Sequence, residues 1–165
     1  MPEYKGMNLI IPEGDLELRP YFEAAHEGRL TMRRCSGCGL LRYPPGPACP
    51  WCNSLESEWA DVSGEGAIYS YEIVAQAIQP GFRDWAPYAV VLVELDEQRG
   101  VPGPNEALRL IANLVTPDFR PEPEGNIAIG RRVRAVFLPI DERLALPQFT
   151  LSHEPAQERL WSFPG

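Results

Sequence analysis

The chain has 165 residues, 44% of them hydrophobic, with 18 prolines and 14 glycines. That apolar share is enough to close a core and excludes wholesale disorder, while so much Pro and Gly excludes an architecture of long helices. The 15 basic and 23 acidic residues leave a net charge of −8, which argues against general affinity for a phosphate backbone.

Residues 1–18 alternate weakly through Leu9, Ile10, Ile11, Leu16 and Leu18 and read as an extended arm. Met1–Lys5 carries neither the basic nor the apolar region of an export signal, so the cytoplasm is the expected compartment. Nor does any apolar run approach the ~18 residues that a membrane span requires. Pro20 is placed to open a helix, where its missing N–H costs nothing. The helix is expected to run to Leu30, with Tyr21, Phe22, Ala25 and Leu30 as its apolar positions and Gly28 as a C-terminal stop. Its apolar face is too small to be stable alone, so it must dock on the rest of the chain or on another subunit.

Charge changes sign at the next segment. Residues 29–52 hold Arg29, Arg33, Arg34 and Arg42 with no acid, a local +4, and the same stretch contains all four cysteines. These lie as Cys35-Ser-Gly-Cys38 and Cys49-Pro-Trp-Cys52. Each Cys-x-x-Cys puts two thiolates on one tight turn, and two such knuckles supply a tetrahedral Zn²⁺ with four sulfurs at about 2.3 Å. Disulfides fit poorly without an export signal. A redox pair needs one knuckle and a following helix, which Pro44, Pro45 and Pro47 oppose. Rubredoxin-type iron uses the same four sulfurs, and ligand count does not separate it from zinc. A four-Cys site leaves no open coordination position, so the metal is expected to be structural.

Beyond the cysteines the period becomes two. Strands are expected at Gly66–Ile78, Tyr88–Leu95, Leu108–Val115, Arg132–Leu138 and Leu144–Leu151, the last broken by Pro147, with turn-rich segments between them. Five strands in about 85 residues, the first of them long, suggest a small closed Greek-key barrel of the OB type, with an open meander as the alternative. The expected organisation is an arm and docking helix over 1–30, a zinc ribbon over 31–62, a barrel over 63–152 and a tail over 153–165. The tail is polar apart from Trp161 and Phe163 and reads as an extension or docking peptide.

Several of these features together resemble a known family. Tyr21-Phe22, Arg34-Cys35-x-x-Cys38-Gly39, Tyr43-Pro44-Pro45, Cys49-Pro50-x-Cys52, Glu58-Trp59, and Ser63-Gly64-x-Gly66-x-Ile68-Tyr69-Ser70 are similar to the zinc-ribbon/OB-fold proteins associated with acyl-CoA metabolism, long labelled a domain of unknown function. Pro87-Tyr88, Val93-Glu94-Leu95 and Leu146-Pro147-Gln148-Phe149 extend the likeness, which spans about residues 20–151. The resemblance implies a mainly β chain: an N-terminal helix, a rubredoxin-like zinc ribbon and a five-stranded OB-like barrel. It also implies a non-catalytic partner of a thiolase-like enzyme, such as a thiolase, an acyltransferase or a steroid side-chain aldolase. Members of the family also accompany hotdog-fold enoyl-CoA hydratases.

No independent active site stands out. His26 and His153 lack a neighbouring nucleophile or carboxylate motif, and all four cysteines are assigned to metal. Two regions are candidates for binding a partner or a CoA thioester. One is the helix and ribbon, through Tyr21, Phe22, Arg33, Arg34, Arg42, Tyr43 and Trp51, whose arginines either meet CoA phosphates or offset the charge of the metal site. The other is the Gln79–Pro87 loop, through Phe82, Arg83 and Trp85, residue types common at binding hot spots. That loop either reaches toward ligand or folds back to cap the barrel. The competing functions are a single-stranded nucleic-acid-binding module, which would need a basic groove with stacking aromatics, and a self-sufficient CoA-dependent enzyme.

Overall fold

The computed structural model of the chain describes residues 1–163; Pro164 and Gly165, the last two residues of the expected tail, lie outside them. Apolar alternation builds the larger part. In strand β7 (Tyr88–Leu95), Ala89, Val91, Val93 and Leu95 are fully buried while the residues between them face outward. The other barrel strands are β6 (Glu65–Val74), β8 (Arg109–Leu114), β9 (Arg132–Pro139) and β10 (Ala145–Leu151). Consecutive strands β6, β7 and β8 pair antiparallel. Strand β9 returns to the start of β6, with Gly66 opposite Val133, and β10 pairs antiparallel with β9. The barrel closes where β10 meets β8 in parallel at Phe149 and Leu114. This is the five-stranded Greek-key closure of an OB fold, and the meander is not adopted. Ile68, Leu110, Leu114, Val133 and Phe149 fill the interior.

Two expected boundaries are wrong for identifiable reasons. Strand β6 ends at Val74 and not at Ile78, because its partner β7 begins only at Tyr88, opposite Val74, after Pro87. Residues 75–78 therefore have nothing to pair with. The helix α1 (Arg19–His26) stops four residues short of Leu30. Gly28 takes φ of +78°, its N–H bonds Ala25 O, and the Arg29 N–H bonds Ala24 O, a double closure that ends the helix. Leu30 is instead the buried first residue of a strand. The expected break at Pro147 is absorbed within β10, which β8 joins only from Phe149 on.

The arm is not simply extended: β1 (Glu3–Tyr4) and β2 (Met7–Asn8) form a hairpin through Lys5 and Gly6. The cysteine segment is a three-stranded antiparallel sheet in which β3 (Leu30–Cys35) lies between β4 (Leu41–Arg42) and β5 (Ser57–Val62). Tyr21 of α1 and Leu30, Met32 and Leu41 of the sheet join the barrel residues in one continuous core. No helix among the described residues is long and apolar enough to cross a membrane.

Besides the shared core, one buried side chain ties the ribbon to the barrel. Gln98, in the turn after β7, is 4% exposed. Its Oε1 accepts from the Leu41 N–H at 2.7 Å, and its Nε2 donates to the Leu41 carbonyl at 2.9 Å. The amide thus stands in for a neighbouring strand on the outer edge of β4. Replacing it, as in Gln98→Ala, leaves both backbone groups of a buried residue unpaired. The expected loss in chemical denaturation is about 2–6 kcal/mol, from about 1–3 kcal/mol for each of the two unpaired groups. A change below about 0.5 kcal/mol, the level of an ordinary surface substitution, would show that the latch contributes nothing.

Candidate functional site

The four cysteines come together at the far end of the ribbon. Cys35 closes β3, and the Gly39 N–H turns back onto the Cys35 carbonyl at 2.9 Å, with Gly39 at φ +76°. The second knuckle repeats that turn with Asn53 at φ +61°, its N–H on the Cys49 carbonyl, also at 2.9 Å. Asparagine is among the few side chains that tolerate this conformation, a signal legible in the sequence that the motif spacing alone does not use. The Gly37 N–H points at the Cys35 sulfur at 3.3 Å. Cys35 and Cys49 are buried, and Cys38 and Cys52 are exposed.

The donor geometry fits a tetrahedral ion. Arms of about 2.3 Å give a tetrahedron with edges of about 3.8 Å. Here Cys35 and Cys52 sulfurs are 3.4 Å apart, Cys38 and Cys49 sulfurs 3.6 Å, and all four lie within 4.8 Å of one another. Thiolates this close repel, and the thiols divide accordingly. Cys35 is held down at about 6, first by the Cys38 N–H and further by the Cys52 thiol and the Gly37 N–H, and Cys49 is also lowered. Against the Leu40 N–H, which alone would lower it, local desolvation and the neighbouring thiols push Cys38 up to about 12; Cys52 is also raised. A divalent cation takes the place of the protons these thiols retain. It would be held by the four cysteines alone, as a cross-link with no position left for substrate.

Beside this centre a groove of about 500 Å³ separates the ribbon from the barrel, lined by Arg42, Tyr43, Pro44 and Trp51 on one side and Leu108 and Arg109 on the other. That volume falls within the about 300–1,000 Å³ typical of small-molecule sites. Arg42 is buried, donating through Nε and Nη2 to the Gly46 carbonyl and through Nη2 to Ser57 Oγ, while its Nη1 has no protein partner. Arg109 lies over the Tyr69 ring at 3.8 Å and pairs with Glu94. The groove therefore offers guanidinium groups with apolar and aromatic walls.

The remaining candidates are distributed differently. Tyr21 is buried against Phe22 and Tyr43, at ring separations of 5.2 and 5.5 Å, so it packs helix to ribbon and offers no outer surface. Arg33 stacks over Trp59 at 5.2 Å, and Arg34 is exposed. In the Gln79–Pro87 loop, Phe82 and Trp85 are half-buried and Arg83 is exposed. The two aromatics pack against the N-terminal hairpin, Phe82 on Tyr4 at 5.8 Å and Trp85 under the Lys5 ammonium at 3.8 Å. Gly81 is required there, since a Cβ would lie 2.0 Å from the Lys5 carbonyl oxygen. The sequence reading missed this partner of the loop, because a hairpin of two-residue strands leaves almost no periodic signal. His26 and His153 are both exposed.

Comparison with known proteins agrees with this architecture. A family model described as the ChsH2 rubredoxin-like zinc ribbon domain matches residues 22–58, and one described as the ChsH2 C-terminal OB-fold domain matches residues 59–138. A DUF35 domain-containing scaffold protein of Methanocaldococcus jannaschii is 34% identical over 110 residues, covering 66% of this chain and 67% of the relative. A probable enoyl-CoA hydratase alpha subunit of Thermomonospora curvata is 39% identical over 131 residues, 78% of this chain. The chain spans only 35% of that relative's length. A solved structure, the Ltp2-ChsH2(DUF35) aldolase, contains a chain that is 35% identical with a TM-score of 0.67; the match covers 86% of this chain and 98% of that one. The chain belongs to the DUF35 family, with the zinc ribbon and OB fold of ChsH2.

Elemental analysis of the purified chain should find one zinc per molecule, falling to near zero in Cys49→Ala, with loss of cooperative unfolding of the ribbon. A visible thiolate-to-iron absorption band would assign iron to the centre. Full zinc content in Cys49→Ala would remove Cys49 from the ligand set.

Proposed function

We propose that this chain is the non-catalytic scaffold subunit of an acyl-CoA-processing enzyme whose catalytic partner is a thiolase-superfamily protein, with cleavage of a carbon–carbon bond in an acyl-CoA side chain as the leading chemistry. The observation that carries this reading is the likeness to the DUF35 chain of the aldolase structure, which runs through nearly all of that chain at 35% identity. The four-sulfur centre supports a scaffold role, because a saturated coordination sphere orders backbone without binding substrate.

The ribbon–barrel groove is the proposed seat of the CoA end of the substrate. The Arg109 guanidinium, held by Glu94, borders the groove where phosphate would lie, and Trp51 and Tyr43 supply aromatic walls for an adenine ring. The acyl group would then extend away from this chain into the partner's own site. A second reading, that the partner is an enoyl-CoA hydratase, is favoured by the name of the Thermomonospora curvata relative. Both readings make this chain the accessory to an acyl-CoA enzyme and differ in what the partner catalyses.

Affinity purification of the chain from its native lysate should recover a thiolase-like subunit at near-equal stoichiometry, and that subunit should be insoluble or poorly active without this chain. A hotdog-fold subunit in its place would select the second reading. Full activity of the partner by itself would overturn both. In the assembled complex, Trp51→Ala should raise the KM for CoA thioester about 5- to 30-fold, the loss of about 1–2 kcal/mol of base–aromatic stacking, with zinc content unchanged. An unaltered KM would remove the groove from the substrate path.

A further inference from the structure

After β10 the chain doubles back along the barrel, held there by charge and backbone. Arg132, 3% exposed at its side chain, pairs with Asp96 of the barrel and Glu154 of the tail. Arg99 donates to Gln157 Oε1 at 3.0 Å and also faces Glu94 and Asp96. Trp161 makes two backbone hydrogen bonds with Ile129, at 2.7 and 3.1 Å, and the Phe163 N–H donates to the Tyr71 hydroxyl at 2.8 Å.

A backbone anchored in this way usually turns its large apolar side chains inward. Here Trp161 is 52% exposed and Phe163 72%, with their rings edge to face. Between them and β6 runs a groove of about 450 Å³ floored by Tyr71, Ile73 and Ile129. Strand β6 keeps β7 beside it as far as Val74 but keeps β9 only as far as Ala67, so its Ser70–Val74 edge is open along this groove. The charged residues lining the groove are Glu72 and Glu124, with no Arg or Lys among them.

Building on the scaffold reading, we propose that this face receives an extended apolar segment of the catalytic partner. The segment lies along the open edge of β6, uses Trp161 and Phe163 as its anchors, and is flanked by Arg or Lys side chains that meet Glu72 and Glu124. Each element has its own physical basis. Unpaired strand groups invite an added strand, aromatics are the residues most enriched at interface hot spots, and a purely acidic rim selects a basic flank. The ion pairs to Arg132 and Arg99 set the tail in place before binding, so little ordering cost remains at the moment of association.

The test uses the full-length chain and the thiolase-like subunit that co-purifies with it, with affinity read by titration calorimetry. Trp161→Ala/Phe163→Ala should weaken binding about 30-fold or more, the scale of lost hot-spot residues. Glu72→Arg should weaken it several-fold, by an amount that shrinks with added salt. Ile10→Ala, which removes a side chain that is 81% exposed in the N-terminal arm, should leave it unchanged. Thermal midpoints of all three variants should match the parent chain, and Glu72→Arg keeps the assignment testable if the double variant unfolds. Binding within two-fold of the parent for both the double variant and Glu72→Arg overturns the surface while leaving the scaffold reading intact. If the parent chain itself binds no such subunit, the scaffold reading falls, and this surface with it.

Discussion

The side-chain amide of Gln98 occupies the place of a missing strand and, with the shared core, sets the relative placement of ribbon and barrel. A three-stranded sheet of this size buries too little apolar surface to be stable alone. It is held at both ends, by four sulfurs at its tip and by the Gln98–Leu41 pair with the shared core at its base. Between these two fixed points lies the groove walled by Tyr43, Trp51 and Leu108. Were the base hinged, that groove would have no defined width. A rigid ribbon is therefore a condition for any ligand role of Tyr43 and Trp51.

Charge ties the same turn, the one that carries Gln98, to the tail. The Arg132 guanidinium beside Asp96 holds that carboxyl below its ordinary range, and Arg132 is raised in turn. An aspartate lowered by folding contributes stability that is present above its ordinary pKa and is lost as pH falls through the lowered value. The pair thus operates throughout the neutral range. Because Arg132 also takes Glu154, the same buried cation links the turn after β7 to the C-terminal tail. The net charge of −8 conceals this arrangement, in which the barrel's arginines are largely spent on intramolecular acids.

These features describe a body whose surfaces are set before it meets anything else. The helix, ribbon and barrel share one core, the Gln79–Pro87 loop is packed under the N-terminal hairpin, and the tail is tied to Ile129 and to the Tyr71 hydroxyl. Preorganisation of this kind suits a scaffold, since association then costs little conformational entropy. It also gives the loop aromatics a role different from the one their sequence suggests. Phe82 and Trp85 pack within the chain, whereas Trp161 and Phe163, which fall outside the family's motifs, remain exposed on a fixed backbone.

Elements with a short-range chemical or periodic signature are legible in the amino-acid sequence. Two Cys-x-x-Cys knuckles specify a four-sulfur site whatever surrounds them, and alternation places the strands from Tyr88 to Leu95 and from Arg132 onward to within a residue. Gly28 was legible as a stop, but not that the stop falls early enough for Leu30 to start a strand. Only tertiary structure decided the rest. The end of β6 depends on where its partner begins, and barrel closure on a parallel contact between Phe149 and Leu114. The burial of Tyr21 and Arg42 depends on which surfaces meet. The Gln98–Leu41 latch joins residues 57 apart, and the Tyr4–Gln148 contact joins residues 144 apart. Such contacts leave no trace in local pattern, because the free energy that selects them comes from desolvating surfaces brought together only after the chain has folded.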